Sequence, residues 1–305
     1  MRRLRCVLEK NTLVSVTCRT VQGRFLFRPC CEVNDVLVGI LGRAQRLYPI
    51  PVCAVSVMSN HLHLLLIADD PQQIARFMQY LSSNIAREVN RLTGWSGPVF
   101  HDRYSMIVVT REEAAQVERL KYLLAQGCKE NLVDRVQDWP GVSSTGAFLE
   151  GKPLIGHWID RTGEYAARRH GKKPDPSRFA TEETLVLAPL PCWRHLSSEV
   201  YRERIVELVD QIERECSAER KRTGARPLGP RAILAQHPHH RPEAVAKSPA
   251  PLVHAATQTA RRAFQEAYAW FVAAFRAAAE RLRQGDRSAV FPAGSFPPAL
   301  PFVPG

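Results

Sequence analysis

The stretch Val57-Met58-Ser59-Asn60-His61-Leu62-His63-Leu64-Leu65-Leu66-Ile67 decides how this chain is read. It is an apolar run interrupted by two histidines at i and i+2. On a β-strand successive side chains alternate between faces, so His61 and His63 point the same way, roughly 6 to 7 Å apart at their α-carbons. Leu62, Leu64 and Leu66 fill the other face, while Leu65 and Ile67 continue the histidine face, so the strand reads as central and buried on both sides. Two imidazoles so placed either converge on one cation or form a hydrogen-bonded pair in the core. The spacing alone leaves both open.

Outward from that strand, the preceding sequence supplies its neighbours. Asn11 to Cys18 alternates and is β-rich, which predicts a first strand. Val33 to Tyr48 carries Val36, Leu37, Ile40, Leu41 and Leu47 at helical spacing and is closed by Pro49. Val52 to Val57 is the next strand, entering the histidine strand through a tight Ser59-Asn60 turn or a continuous bend. Asp70-Pro71-Gln72-Gln73 starts a helix, with Asp70 as N-cap, Pro71 at its first position and Gln73 closing a capping box. Its stripe is Ile74, Phe77, Met78, Leu81, Ile85, Val89 and Leu92, and Thr93-Gly94 ends it. Asn84, Arg87, Asn90 and Arg91 form a polar, basic face that is either solvated or follows phosphates. A strand is expected over Ser105 to Val109.

Thr110-Arg111-Glu112-Glu113 reads as a second capping box, opening a helix from Arg111 to Gln126 with Gly127 as its stop. Val117, Leu120 and Leu124 form its core stripe. Tyr122 and Gln126, four residues apart, share another face that the local core does not need, and an ordinary exposed tyrosine would sit there too.

Composition narrows the partners. The 305 residues carry a formal net charge of +12 and a pI near 9.6, which favours a polyanion, nucleic acid first. Eight cysteines are scattered with no Cys-x-x-Cys, so a zinc ribbon is excluded and free thiols of a reducing, cytoplasmic compartment are expected. No run approaches a membrane span and no membrane association is expected.

Four blocks together carry a resemblance. Val57 to Leu66, Gly97-Pro98-Val99-Phe100-His101-Asp102-Arg103-Tyr104, Lys121-Tyr122-Leu123-Leu124-Ala125-Gln126-Gly127 through Val133, and Trp139-Pro140-Gly141-Val142-Ser143-Ser144 resemble the single-tyrosine HUH transposases, above all the REP-associated tyrosine transposases. The likeness spans about Asn11 to Glu150. It implies an α+β, ferredoxin-like HUH domain with an antiparallel sheet and flanking helices. It also implies that His61, His63 and Gln126 hold Mg²⁺ or Mn²⁺ and that Tyr122 is the nucleophile. The partner implied is single-stranded DNA with hairpin-forming repeats, and the assembly a homodimer. Gln126-Gly127 stands where the REP-associated branch usually has Asn-Pro, and Ser59 replaces a common proline.

The chemistry of these residue types agrees. Two imidazoles and one amide oxygen leave coordination positions open, which suits a Lewis-acidic Mg²⁺ or Mn²⁺ better than a closed structural zinc. Arg87, Arg91, Arg103 and Lys121 are candidate DNA contacts.

The expected organisation is a catalytic domain over 1–150, a basic linker over 151–180 and a mainly helical, basic region over 181–305, for DNA recognition or oligomerisation. In that last region Ser197 caps a helix to Arg222. Lys221 to Ala250 reads as a linker whose His237-Pro238-His239-His240 is either a metal cluster or plain linker. Thr257 to Gln284 is an amphipathic helix with Phe264, Tyr268, Phe271 and Phe275 on one stripe, and a Pro- and Phe-rich tail follows from Phe291. The expected activity is a transposase that nicks and rejoins single-stranded DNA. The rivals are a non-catalytic DNA-binding or regulatory protein of the same fold and a structural metal-binding or interaction module.

Overall fold

A computed structural model describes residues 3–169, 175–243 and 250–298. The chain begins with strand β1 (Thr12–Arg19), helix α1 (Cys31–Leu47), β2 (Val52–Met58), β3 (His61–Ala68), α2 (Pro71–Thr93) and β4 (Ser105–Val109). The first four strands are antiparallel and ordered β2-β3-β1-β4. A β-α-β-β-α-β chain with that strand order is the ferredoxin-like arrangement. The remaining elements are α3 (Glu113–Leu124), α4 (Gln126–Lys129), α5 (Thr145–Glu150), β5 (Leu154–Ile159), α6 (Arg161–Arg169), β6 (Ala180–Leu185), α7 (Ser198–Thr223), α8 (Pro230–Ala235), β7 (Val253–His254) and α9 (Gln258–Arg283). β7 adds to the open edge of β4 in parallel.

The alternation along β3 sorts the molecule into two cores. Leu62, Leu64 and Leu66 pack with Val14, Val16, Val55 and Val57 under α1 and α2. Leu65 and Ile67 pack with Leu13, Ala54, Met58 and Val109 under α3, α4 and α7. Both faces of β3 are therefore dry, as its near-continuous apolar run requires. Between β2 and β3 the chain makes the tight turn at Ser59-Asn60.

α2 starts as its sequence demands: the Asp70 carboxylate accepts from Gln73 N at 2.8 Å and Gly94 ends the helix at φ +65°. Gln73 Oε1 in turn accepts from Asp69 N rather than from Asp70 N. The start of α3 differs from expectation. Thr110 Oγ1 donates to the Glu112 carboxylate instead of capping the backbone, and the helix begins two residues later, at Glu113. Glu112 also accepts from Thr257 Oγ1 and Ala256 N, so this carboxylate is used to clamp the start of α9. Gly127 is not a stop either. Helical bonds continue through Lys129 N to Ala125 O, and a β-carbon at Gly127 would lie 2.9 Å from Val133 Cγ2. The glycine is there for close packing.

The stretch 151–180, expected as a basic linker, holds β5, α6 and the start of β6. The antiparallel β5-β6 pair lies on α1, and its approach is so close that a β-carbon at Gly156 would sit 2.2 Å from Asp35 O. Arg161 of α6 pairs with the buried Glu88 of α2 and with Glu164 at 2.6 Å. Of the basic run after Arg169, residues 170–174 lie outside the described residues. The region after 181 does not stand apart: Leu185 and Val253 enter the core under α1 and α2, while Ile205, Leu208, Val209 and Ile212 of α7 enter the other. Ser197 and Thr257 cap α7 and α9 by accepting from Val200 N and Ala260 N. Of the α9 stripe only Phe271 is fully buried. The 221–250 segment docks through Arg24 Nη1 to His239 O and His239 Nε2 to Thr93 O at 2.8 Å; residues 244–249 and the tail from 299 lie outside the described residues. All eight cysteines are free thiols. No helix among the described residues is long and apolar enough to cross a membrane.

Candidate active site

His61 opens β3 and His63 follows two residues on, so both rings lie on the α3 side of the sheet with centroids 4.8 Å apart. Each Nδ1 has a partner. His61 Nδ1 lies 2.7 Å from Asn60 Oδ1, which as an acceptor holds the proton on Nδ1. His63 Nδ1 lies 2.9 Å from the hydroxyl of Thr17, its register partner on β1. With Nδ1 protonated, His61 offers its lone pair at Nε2, and His63 does the same in the tautomer that donates to Thr17.

The third group comes from the other side. Gln126, at the start of α4 and 3 % exposed, donates through Nε2 to Tyr122 O at 2.8 Å. That bond turns its Oε1 toward His61 Nε2, 3.5 Å away. Lone pair thus faces lone pair. His63 Nε2 is buried with no hydrogen-bond partner, an unusual state for a ring nitrogen inside a core. Two imidazole nitrogens and one amide oxygen thus converge, a donor set that could hold a cation. Among the described residues no group of three His, Cys, Asp or Glu exists that suits a metal; the donor set here is two imidazoles and an amide.

Electrostatics keep the imidazoles neutral. Burial pulls the His61 pKa down to about 4, with Arg19 adding to the effect. Burial, then the neighbouring His61, Arg119 and Arg19, hold His63 well below its ordinary value. Neutral imidazole is the form that binds a metal.

Tyr122 packs edge-on against His63, with ring centroids 5.7 Å apart. The face it shares with Gln126 is turned toward the histidines: Gln126 is buried and Tyr122 half-buried, not a surplus exposed face. Arg119 lies 4.5 Å over the Tyr122 ring and Lys129 5.1 Å from it.

The four candidate DNA contacts do not gather here. Arg87 and Arg91 are exposed on α2, which covers the opposite face of the sheet, and Arg91 faces Glu88 at 3.8 Å. Lys121 is bound to Glu215 of α7 at 2.6 Å. Arg103 is exposed beyond β4, near the histidine end of the sheet, where His101 N donates to Arg19 O. The sequence reading missed Thr17, Asn60, Arg19, Arg119 and Lys129. Arg119 carried a usable signal, since i−3 from Tyr122 places it on the same helix face. Thr17 and Arg19 become visible only through strand register.

Residues 28–126 match the family described as "Transposase IS200 like". Among solved structures, a REP-associated tyrosine transposase bound to a REP hairpin is 16 % identical, covering 47 % of this chain and 82 % of that one, with a TM-score of 0.37. A protein described as a candidate transposase from Deinococcus radiodurans R1 is 23 % identical, covering 39 % of this chain and 95 % of that one, with a TM-score of 0.28. A comparison with curated proteins finds no match. The ferredoxin-like assignment rests on the strand order described above. Residues 28–126, the segment bearing His61, His63, Tyr122 and Gln126, are thus similar to the IS200-like transposases.

Proposed function

We propose that this transposase cleaves and rejoins single-stranded DNA, with Tyr122 as nucleophile and His61, His63 and Gln126 holding a divalent ion, Mg²⁺ or Mn²⁺. The observation that carries the reading is the convergence of His61 Nε2, Gln126 Oε1 and the unpartnered His63 Nε2 beside the Tyr122 ring. When bound, such an ion supplies Lewis-acid stabilisation of charge on the phosphate oxygens. Asn60 holds His61 in one tautomer, and Thr17 orients the His63 ring. Gln126, tied to the Tyr122 carbonyl, couples the ligand set to the nucleophile's helix.

The Tyr122 oxygen attacks phosphorus, the bond from phosphorus to the 3′ oxygen breaks, and the phenolic proton is balanced by one gained at the freed 3′-OH. The product is a 5′-phosphotyrosine. A 3′-OH attacking that phosphorus restores the phenol and joins the strands, so the bond energy is conserved without a nucleotide cofactor. The position of Tyr122 beside His63 of the same chain supports action within one subunit, and the homodimer expected from the resemblance is not needed to complete the site.

The test is incubation of the protein with labelled single-stranded hairpin DNA and Mn²⁺, followed by denaturing electrophoresis. A covalent adduct is expected from wild type and none from Tyr122→Phe. An adduct of undiminished yield from Tyr122→Phe removes the nucleophile assignment.

A further inference from the structure

Basic side chains that touch the helices around the site are mostly spoken for. Lys121 pairs with Glu215, Arg135 with Glu213 and Arg220 with Asp134. Three cations break this pattern. Arg119 stands one turn before Tyr122 with its guanidinium carbon 4.5 Å from the ring centroid. Lys129 Nζ lies 5.1 Å from the same ring. Arg19 is the register partner of His61, and its charge reaches both imidazoles. Among the described residues, none of these three side chains has an ion pair or a hydrogen bond. Glu118, the carboxylate that acts on Arg119, is 3.4 Å from His254 Nε2.

The asymmetry has a physical meaning. Arg119 is half-buried, and burial opposes its charge. Desolvating a guanidinium without a counterion is costly, and the cost is offset when an anion docks. A planar fork of donors matches two oxygens of one phosphate. The cation also stands on the nucleophile's side of the histidines, not across the sheet with Arg87 and Arg91.

We propose that Arg119 binds the scissile phosphate of the DNA strand against Tyr122, with Arg19 and Lys129 holding the phosphates on either side. This rests on the transposase reading above and names the protein groups that receive its substrate. The binding step needs no chemistry, so it is measurable apart from cleavage.

The experiment uses the full chain carrying Tyr122→Phe, with a fluorescent single-stranded hairpin DNA bearing unpaired flanks, in EDTA, over a salt series. Arg119→Ala is expected to weaken binding at least tenfold and to lower the slope of log affinity against log salt by about 0.7, the value of one single-strand phosphate contact. Arg119→Lys is expected to restore the slope, and the exposed Arg19→Ala, which no core depends on, to lose a similar increment. In the Tyr122-intact protein, Arg119→Ala is expected to slow adduct formation at least a hundredfold, with Arg119→Lys recovering only part of the rate. If wild type forms no adduct while Arg119→Ala still lowers the salt slope, the cleavage reading falls and the phosphate site stands. If wild type forms the adduct and both alanine variants keep its affinity, slope and rate, the phosphate site falls and the cleavage reading stands.

Discussion

Replacing Thr17 with valine tests the metal reading at its least conspicuous support. Valine matches threonine in shape and in β-branching, so the β1 backbone and its pairing with β3 should persist. What disappears is one oxygen, 2.9 Å from His63 Nδ1. His63 is 4 % exposed, so water does not replace it. An orphaned buried donor costs about 1–3 kcal/mol. The imidazole has an escape, however, because it can move its proton from Nδ1 to Nε2, and that puts the stability loss near the lower end, about 1 kcal/mol. The escape places the proton on the nitrogen that would bind the ion. Loss of a partner that orients a ligating histidine typically lowers metal affinity 10–100-fold, so the binding effect should exceed the folding effect. Titration calorimetry with Mn²⁺ and urea unfolding of the metal-free protein separate the two. The expected result is at least a tenfold weaker Mn²⁺ affinity in Thr17→Val, near-complete recovery in Thr17→Ser, and a small shift in unfolding midpoint. If Thr17→Val binds Mn²⁺ within twofold of wild type, His63 is a packed core residue and the metal site as drawn is refuted.

Two further outcomes follow from burial and packing. His61, with its pKa pulled from 6.5 to about 4, refuses in the folded state a proton that the unfolded chain accepts. The metal-free protein should therefore be most stable above pH 6.5 and lose stability as pH falls toward 4, by about 3 kcal/mol at most from this group. Urea midpoints at pH 7 and 5.5 should differ in wild type and differ less in His61→Asn, where His63 keeps its own share of the dependence, and an unchanged wild-type midpoint counts against the neutral buried imidazoles. At the β5-β6 pair, Gly156→Ala forces a β-carbon against Asp35 O and should cost about 1–3 kcal/mol as overpacking, without changing Mn²⁺ affinity on the far side of the sheet; a thermal melt indistinguishable from wild type would contradict the close approach.

Local rules made the first half of the chain readable. His61 to Ile67 alternates between two dry faces because both faces are covered, and Asp70-Pro71 caps α2 because its first amides need an acceptor. The Thr110 box failed for a tertiary reason: Glu112 serves the start of α9, a partner some 145 residues away. Gly127 looked like a stop because a glycine after an apolar stripe usually is one, whereas here Val133 and Trp139 leave no room for a β-carbon. Arg87 and Arg91 were readable as a basic face, but a helix's own pattern does not tell which side of a sheet it will cover. The pairing of β5 with β6 was hidden because Gly156 and the partly exposed strands around it lack a strong alternation. The candidate site followed the same division: spacing paired His61 with His63 and Tyr122 with Gln126, the family resemblance implied that the two pairs form one site, and the Thr17, Arg19 and Arg119 surround was set out by register and packing.

The parallel pairing of β7 with β4 has a consequence for the order of folding. Thr110 N reaches His254 O across a separation of 144 residues, so the β4 edge, at the end of the sheet away from the histidines, is closed by a contact across nearly half of the chain. Such contacts are slow to form, and synthesis proceeds from the N-terminus. On a ribosome the four-strand core would exist for many seconds with an unpaired β4 edge and an uncovered α7 docking face. During that interval the nascent chain is open to pairing with another nascent copy. Solubility in expression should therefore depend on translation rate more than on the stability of the finished protein.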